Sequence, residues 1–154
     1  MKGSAGAIAQ MLVLATAAPA MAGQARASFN VSVVVPARVT LTALDQPSAL
    51  EVSAADVERG YTEVAATYRV SHNDRRGYLL SLLPRRGLTR EIQVQGLVTA
   101  LVMGNEPVEV VQPGPPGSHQ LDLAFRFVLD PALVPGRYPL PVLVRAAALS
   151  AGDQ

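Results

Sequence analysis

The sequence predicts an all-β protein, and three observations lead to that fold class. Apolar residues recur at every second position through most of the chain, which is the period of a half-buried strand. Turn-forming residues interrupt this pattern at intervals of about 8–12 residues. No segment carries an apolar stripe at the 3.6-residue period of a helix. The chain has 154 residues, 49% of them hydrophobic and 16% charged, so it fits one folded domain and is too apolar for a disordered protein.

The first half of the predicted domain opens with a long alternating run. One face of this run holds Phe29, Val31, Val33, Val35, Ala37, Val39 and Leu41. Pro36 lacks a backbone donor and marks a bend, so the run divides into two strands at about 27–35 and 37–44. After a turn, we predict a short strand at 50–53, one helical turn at 54–60 closed by Gly60, and an alternating strand at 61–71.

The second half begins after a turn at His72 to Gly77. It contains predicted strands at 78–83, 90–95, 97–103, 108–111, 120–130 and 138–146, with the loop QPGPPGS at 112–118. Pro139 and Pro141 share one face of the last strand, so their missing donors predict an edge or a crossover at its start. The whole pattern predicts an antiparallel, immunoglobulin-like β-sandwich of roughly eight or nine strands, with a small barrel as the alternative.

The N-terminus has the features of a signal peptide. Lys2 precedes an almost uninterrupted apolar run from Ala5 to Ala18, and Ala20-Met21-Ala22 fits a cleavage site before Gly23. The run is shorter than the ~20 residues that span a bilayer. We therefore predict a signal peptide at 1–22, a sandwich domain at 23–149 and a polar tail at 150–154, with no integral membrane segment after cleavage.

The predicted mature chain is electrically neutral. Lys2 is the only lysine among the 13 basic residues, so its removal leaves twelve arginines against 12 acidic residues. A neutral chain is not a general binder of polyanions, and nucleic acid is not expected as a partner. The chain has no cysteine, which excludes disulfides and thiolate metal sites.

No group of residues predicts catalysis. Ser71, His72 and Asp74 have the residue types of a triad, but such close neighbours in a turn cannot usually form its relay. His119 continues the inward face of the predicted strand 120–130, which favours a structural role over that of a ligand. We therefore predict a protein that is not an enzyme and has neither a cofactor nor a metal site.

The arginines between residues 75 and 90 form a local excess of positive charge. They are Arg75, Arg76, Arg85, Arg86 and Arg90, with no acidic residue among them. They flank the strand 78–83, so we expect them at its opposite ends. Solubility of the loops is the simpler interpretation, and contact with an anionic polysaccharide, lipid head groups or an acidic partner is the functional one.

The two ends of the predicted domain resemble a known family. The chain reads ASFNVSVVVPARVTL at 27–41 and LAFRFVLDPALVPGRYPLPVLV at 123–144. This pattern resembles bacterial secreted pilin-type domains, namely chaperone–usher fimbrial subunits and the spore coat protein U-like group. Members often carry a cysteine pair, which this chain lacks. The resemblance implies an incomplete sandwich whose groove is filled by an extended strand from a neighbouring subunit.

These observations predict an exported protein of the periplasm or cell surface. We expect a structural or assembly protein of a surface fimbria or a related periplasmic system, with other subunits or an assembly chaperone as partners. The alternative is a periplasmic accessory module that recognises a protein or glycan through its loops. Phe29, Val31, Val33 and Val35 are the predicted strand-exchange residues. The same alternation fits a strand that completes its own sandwich, which the bend at Pro36 slightly favours.

Overall fold

The computed structural model describes residues 32–149. Strands account for 58% of this part of the chain and helix for 5%, and every paired strand is antiparallel. The predicted all-β, antiparallel class is therefore confirmed. Residues 35–149 belong to one unit, Val35–Gln154, and residues 32–34 to a separate unit, Met1–Val34. The predicted signal peptide at 1–22, the polar tail at 150–154, Phe29 and Val31 lie outside the described residues.

The described residues form ten strands and one short helix. In chain order they are β1 (Val39–Asp45), β2 (Ala49–Val52), α1 (Ala54–Arg59), β3 (Tyr61–His72), β4 (Tyr78–Pro84), β5 (Thr89–Gln95), β6 (Leu101–Met103), β7 (Val108–Gln112), β8 (Gly117–Leu129), β9 (Gly136–Pro139) and β10 (Val142–Ala147).

The helix α1 is held by caps at both ends. The Ser53 hydroxyl accepts a hydrogen bond from the backbone of Asp56, whose carboxylate accepts one from the backbone of Ser53 in return. This reciprocal pair is a capping box. Gly60 ends the helix at φ +78°, a left-handed conformation that glycine adopts without a Cβ penalty. The predicted helical turn closed by Gly60 is thus confirmed.

The larger sheet has five strands in the order β1-β3-β8-β5-β6. Its centre is the long ladder between β3 and β8, which runs from Tyr61 opposite Val128 to His72 opposite Gly117. The alternation of both strands fixes which face is buried, because a slip of one residue would turn the apolar set toward solvent. Phe125 and Phe127 are almost fully buried on this inner face.

Two smaller sheets complete the fold. One has the order β10-β4-β7 and the other pairs β2 with β9. The single strand predicted at 138–146 is therefore wrong, because it is divided between two sheets. The division falls at Leu140 and Pro141, where the proline cannot donate a ladder hydrogen bond. The crossover predicted from the two prolines is what the structure has at this point.

The sheets share one hydrophobic core. Its members come from β2, β3, β4, β5, β6, β8 and β10, and include Leu50, Val70, Leu80, Ile92, Met103, Phe127 and Val144. The rings of Phe125 and Phe127 lie parallel with their centroids 5.7 Å apart. Since the chain has no cysteine, burial of these side chains and strand pairing hold the described domain together.

Two other predicted strands differ from the structure. Residues 32–38 lie outside every strand, so the strand predicted at 27–35 is wrong over its described part. The strand predicted at 97–103 is reduced to β6 at Leu101–Met103. Gly96, at φ +95°, turns the chain out of β5, and the segment after it leaves Val98 exposed. Apolar composition alone did not distinguish this exposed bend from a buried strand.

Candidate functional site

The N-terminal segment, residues 32–38, presents apolar side chains to solvent. Val33, Val34 and Val35 are 76%, 86% and 70% exposed. Large apolar side chains exposed in a row are uncommon on a monomer and typically mark an interaction surface. Two of these residues, Val33 and Val35, belong to the predicted strand-exchange set.

Asn73 fixes the point at which the N-terminal segment meets β1. Its side-chain nitrogen donates to the Pro36 carbonyl at 2.9 Å, and its side-chain oxygen accepts from the Arg38 backbone at 2.7 Å. The Asn73 backbone also donates to the Arg38 carbonyl at 3.3 Å. One side chain thus occupies the backbone polar groups on both sides of Ala37, and the regular β1–β3 ladder begins only at Val39.

One edge of β10 has no strand partner among the described residues. β10 pairs with β4 from Val142 opposite Pro84 to Ala147 opposite Leu79, and its other edge faces away from that ladder. β10 lies next to β1, the edge strand of the larger sheet. An unpaired edge presents a row of backbone donors and acceptors to which another strand can pair.

A cavity of about 430 Å³ lies where β1 and β10 approach each other. Its lining includes Ala43, Leu44, Arg85, Leu140, Val142 and Leu143. The Arg85 backbone donates to the Pro141 carbonyl at 2.7 Å and holds the chain at the corner between β9 and β10. The lining is therefore mixed: β1 and β10 contribute apolar side chains, and Gln46, Ser48 and Arg85 contribute polar or charged ones.

The five arginines of the local charge excess fall into two groups, one on each side of β4 in the chain. Arg75 and Arg76 precede β4, whereas Arg85, Arg86 and Arg90 follow it. Arg76 pairs with Asp74 at 2.8 Å and donates to the Leu149 carbonyl at 3.4 Å. The side-chain and backbone hydrogen bonds from Arg76 stabilise the Asp74 carboxylate and lower its pKa to about 2.

The second arginine group also meets acidic residues. Arg86 lies 3.9 Å from Glu106, and both side chains are exposed. Exposed ion pairs of this kind contribute little to stability. The two groups therefore form no single basic surface, and the prediction of an anionic partner gains no support from their placement.

A cluster of polar and aromatic side chains occupies one end of the interior. His72 from β3, His119 from β8, Tyr78 from β4 and Gln112 from β7 make up this end cluster. The three rings lie 5.2–5.6 Å apart between centroids. Burial raises the pKa of the Tyr78 hydroxyl.

The sequence indicates the strand face on which each histidine lies, but it does not predict that the two side chains are in contact. His72 continues the inward alternation of Tyr68 and Val70, and His119 continues that of Leu121. The contact between the two histidines arises from the register of β3 and β8, in which Val70 lies opposite His119. Two inward histidines at the same end of neighbouring strands are the signal that could have found them. Ser71 is exposed whereas His72 is buried, so they lie on opposite faces of β3 and form no triad.

The outer face of the larger sheet carries a shallow depression of about 340 Å³. Its floor is the Ala65–Ala124 pair, where two methyl groups lie opposite each other across β3 and β8. Arg126 donates to Glu63 at 2.7 Å beside it, and the same guanidinium lies 4.6 Å from the centre of the Tyr61 ring. Gln93 and Gln95 border the depression from β5.

Comparisons of the chain with protein-family models, curated proteins and solved structures give no match. Within residues 32–149, no helix has the length and apolar content needed to cross a membrane. The same residues contain no group of three or more His, Cys, Asp or Glu side chains placed to hold a metal ion.

Proposed function

We propose that the protein is an exported, immunoglobulin-like β-sandwich subunit that assembles with other subunits by exchange of its N-terminal strand. The observation that carries this proposal is the combination of two unsatisfied features. The N-terminal segment exposes three consecutive valines, Val33, Val34 and Val35, and β10 has an edge without a strand partner among residues 32–149. The N-terminal segment of one subunit could pair with the β10 edge of another.

The sandwich architecture is supported by the shared core. Side chains from the five-stranded and three-stranded sheets belong to one buried cluster, as expected when two antiparallel sheets pack face to face. A strand added beside β10 would extend the smaller sheet next to β1.

The predicted strand-exchange residues have the alternation that a strand added beside β10 requires. In an extended chain, Phe29, Val31, Val33 and Val35 would fall on one face, and Asn30 and Ser32 on the other. In strand addition the backbone hydrogen bonds supply affinity, while alternate side chains fill pockets. Val142 and Val144 of β10 are buried and alternate in the same way, so a strand paired with β10 can place its apolar face in register with the core.

Asn73 holds the backbone that directly follows the predicted strand-exchange residues. Its side chain binds the Pro36 carbonyl and the Arg38 amide, so the backbone at 36–38 is held beside the end of β3. Pro36 itself has no amide hydrogen to pair with β3. This arrangement favours exchange over the self-completion that the sequence slightly favoured.

The proposed location outside the cytoplasm rests on the predicted signal peptide at 1–22. The absence of cysteine leaves the fold independent of the redox state of its compartment. The predicted partners remain other subunits or an assembly chaperone, and the proposed role is structural rather than catalytic.

The alternative function is a periplasmic binding module for a glycan. The outer-face depression favours it, because Glu63, Arg126, Gln93 and Gln95 offer both donors and acceptors beside the Tyr61 ring. Sites for small molecules combine an apolar surface with a few convergent polar groups. A binding module would retain its ligand after the N-terminal segment is removed.

Deletion of residues 24–35 tests the proposed function. The expected product is folded by circular dichroism and monomeric by light scattering, whereas the intact exported protein forms larger assemblies. A synthetic peptide covering residues 27–38 should bind the deletion variant. Val33→Asp should weaken assembly, and Val134→Asp, at a valine of similar exposure (64% against 76%) in the β8–β9 connection, is the matched control.

Two results would contradict the proposal. An unfolded deletion product would mean that the segment completes its own domain. A folded deletion product that assembles as the intact protein does would mean that assembly uses another surface.

A further inference from the structure

Both histidines of the chain lie in the end cluster, although they are far apart in sequence. His72 ends β3 and His119 lies near the start of β8. Their rings are 5.5 Å apart between centroids and meet nearly at a right angle, at 87°. The chain has only two histidines, so the fold brings all its imidazole groups to one place.

One ring nitrogen of His72 is hydrogen-bonded to the backbone. Its Nδ1 lies 3.0 Å from the Asp74 carbonyl oxygen. A carbonyl can only accept, so Nδ1 carries a hydrogen, and in this tautomer of the uncharged imidazole Nε2 is the nitrogen with the lone pair. Metal-binding histidines are commonly fixed in this way, by donation from their other nitrogen to a carbonyl.

The other ring nitrogen of His72, Nε2, has no hydrogen-bond partner among the described residues. The residue is only 5% exposed, and its Nε2 atom is buried without a hydrogen bond in the part of the chain described. A buried polar atom without a partner costs free energy, and few remain in native structures without a ligand or water. Gln112 Nε2 is buried without a partner in the same cluster.

His119 and Tyr78 supply further donor atoms beside His72. His119 Nε2 lies 3.4 Å from the Tyr78 hydroxyl, which is a long contact that a stronger ligand can replace. Two imidazoles bound to one tetrahedral ion at the usual metal–nitrogen distances have ring centroids about 5 Å apart. The observed separation of 5.5 Å is therefore close to what a shared ion needs.

A cavity at the loop 113–118 adjoins the cluster at His119. It has a volume of about 260 Å³ and is lined by this loop and by His119. Gly114 covers His72: a Cβ added there would lie 4.0 Å from Nε2. His119 is only half-buried, so an ion can reach it from solvent and water can fill the remaining positions.

The local charge does not oppose a cation. Asp74 is the acidic residue nearest the cluster, and its negative charge acts on His72. Arg76 is engaged in an ion pair with Asp74 and in a hydrogen bond to the Leu149 carbonyl. Tyr78 and Gln112 are neutral, and no further charged side chain belongs to the cluster.

The geometry points to a binding site for a first-row transition-metal ion, Cu²⁺ or Zn²⁺, formed by His72 and His119 with the Tyr78 hydroxyl beside them. Imidazole nitrogen suits both ions, and Cu²⁺ binds such sites more tightly than Zn²⁺. This revises the expectation from sequence that the chain has no metal site. The site is independent of strand exchange, because neither the N-terminal segment nor β10 contributes to the cluster.

Titration of the intact protein tests the site. The protein is purified without a polyhistidine tag and titrated with CuCl₂ and ZnCl₂ in a non-coordinating buffer at neutral pH by calorimetry. One ion of Cu²⁺ per chain is expected, with nitrogen hyperfine structure from imidazole in the electron paramagnetic resonance spectrum. His72→Gln and His119→Gln should each weaken binding at least about tenfold. Ser118→Ala, at an exposed neighbour of His119, is the matched control.

Folding and binding are kept separate in this test. His119→Gln changes a half-buried residue and serves if the His72 variant does not fold. Gly114→Val adds bulk over His72 Nε2 without removing a ligand, and should also weaken binding. The proposal is overturned if the intact protein binds neither ion, or if the double histidine variant binds Cu²⁺ as tightly as the intact chain.

Discussion

Replacement of Gly77 by alanine tests the close approach of two strands at the end cluster. Gly77 has φ +102°, and a Cβ added there would lie 2.0 Å from the Gln112 carbonyl oxygen and 2.8 Å from the Pro113 Cα. These are backbone atoms, fixed by the pairing of Tyr78 with Gln112 at the end of the β4–β7 ladder. No rotation of a side chain can relieve the contact.

Gly87 provides a matched control for the backbone conformation. Its φ is +98°, nearly that of Gly77, but a Cβ added there meets nothing within 4 Å. Gly87→Ala therefore reports the cost of the left-handed conformation alone, about 1–2 kcal/mol. Gly77→Ala adds the displacement of the Gln112 backbone, for which overpacking costs of about 1–3 kcal/mol are typical. The sum is about 2–5 kcal/mol in the free energy of unfolding.

Urea denaturation of both variants measures the difference. The chain has no tryptophan, so far-ultraviolet circular dichroism is the suitable signal. With a denaturant slope of about 2 kcal/mol per molar, Gly77→Ala should lower the midpoint by about 1 M or more. Its midpoint should also lie clearly below that of Gly87→Ala. Equal midpoints for the two variants would refute the close approach of Gly77 to Gln112.

Three further predictions concern the helix caps and the core. Ser53→Ala removes the N-cap acceptor of α1 and should lower the free energy of unfolding by about 1 kcal/mol in urea denaturation; an unchanged midpoint would contradict the cap. The hydrogen bonds from Ser53 lower the pKa of Asp56 from 3.8. Its stabilising effect is thus present above the unfolded pKa and lost as pH falls below it. The difference in melting temperature between the intact protein and Asp56→Asn should shrink between about pH 5 and pH 2, and a constant difference would exclude this effect. Phe127→Ala, at a fully buried ring stacked on Phe125, should cost about 3–5 kcal/mol by the same denaturation assay. The exposed Val134→Ala should cost less than about 0.5 kcal/mol, and similar costs for both would contradict the core assignment.

The central strands could be predicted from the sequence because their pattern is local. Alternation over 61–71 and 120–130 indicates strands by itself, and the structure has β3 and β8 there. Gly60 likewise predicted the end of the helical turn, since glycine adopts a positive φ without a steric penalty. In each case the information lies within a few neighbouring positions.

The predictions that differ from the structure depended on partners elsewhere in the chain. The alternation at 27–35 does not show whether a neighbouring strand is available, and Asn73 occupies the backbone where such a ladder would begin. The apolar residues at 97–103 predict a buried strand, although only those at 101–103 lie in β6 and those before them follow the bend after Gly96. The predicted strand at 138–146 is divided between two sheets, because its first part pairs with β2 and its second part with β4.

The sequence alone determined the all-β class, because the period of the apolar residues follows from the backbone geometry of a strand. It also determined the features that need no partner, such as the neutral charge of the predicted mature chain. Only the tertiary structure decided the strand order, the edge of β10 that has no partner within residues 32–149, and the contact of His72 with His119. These depend on which strands pair and in which register, and a register joins residues that are distant in sequence.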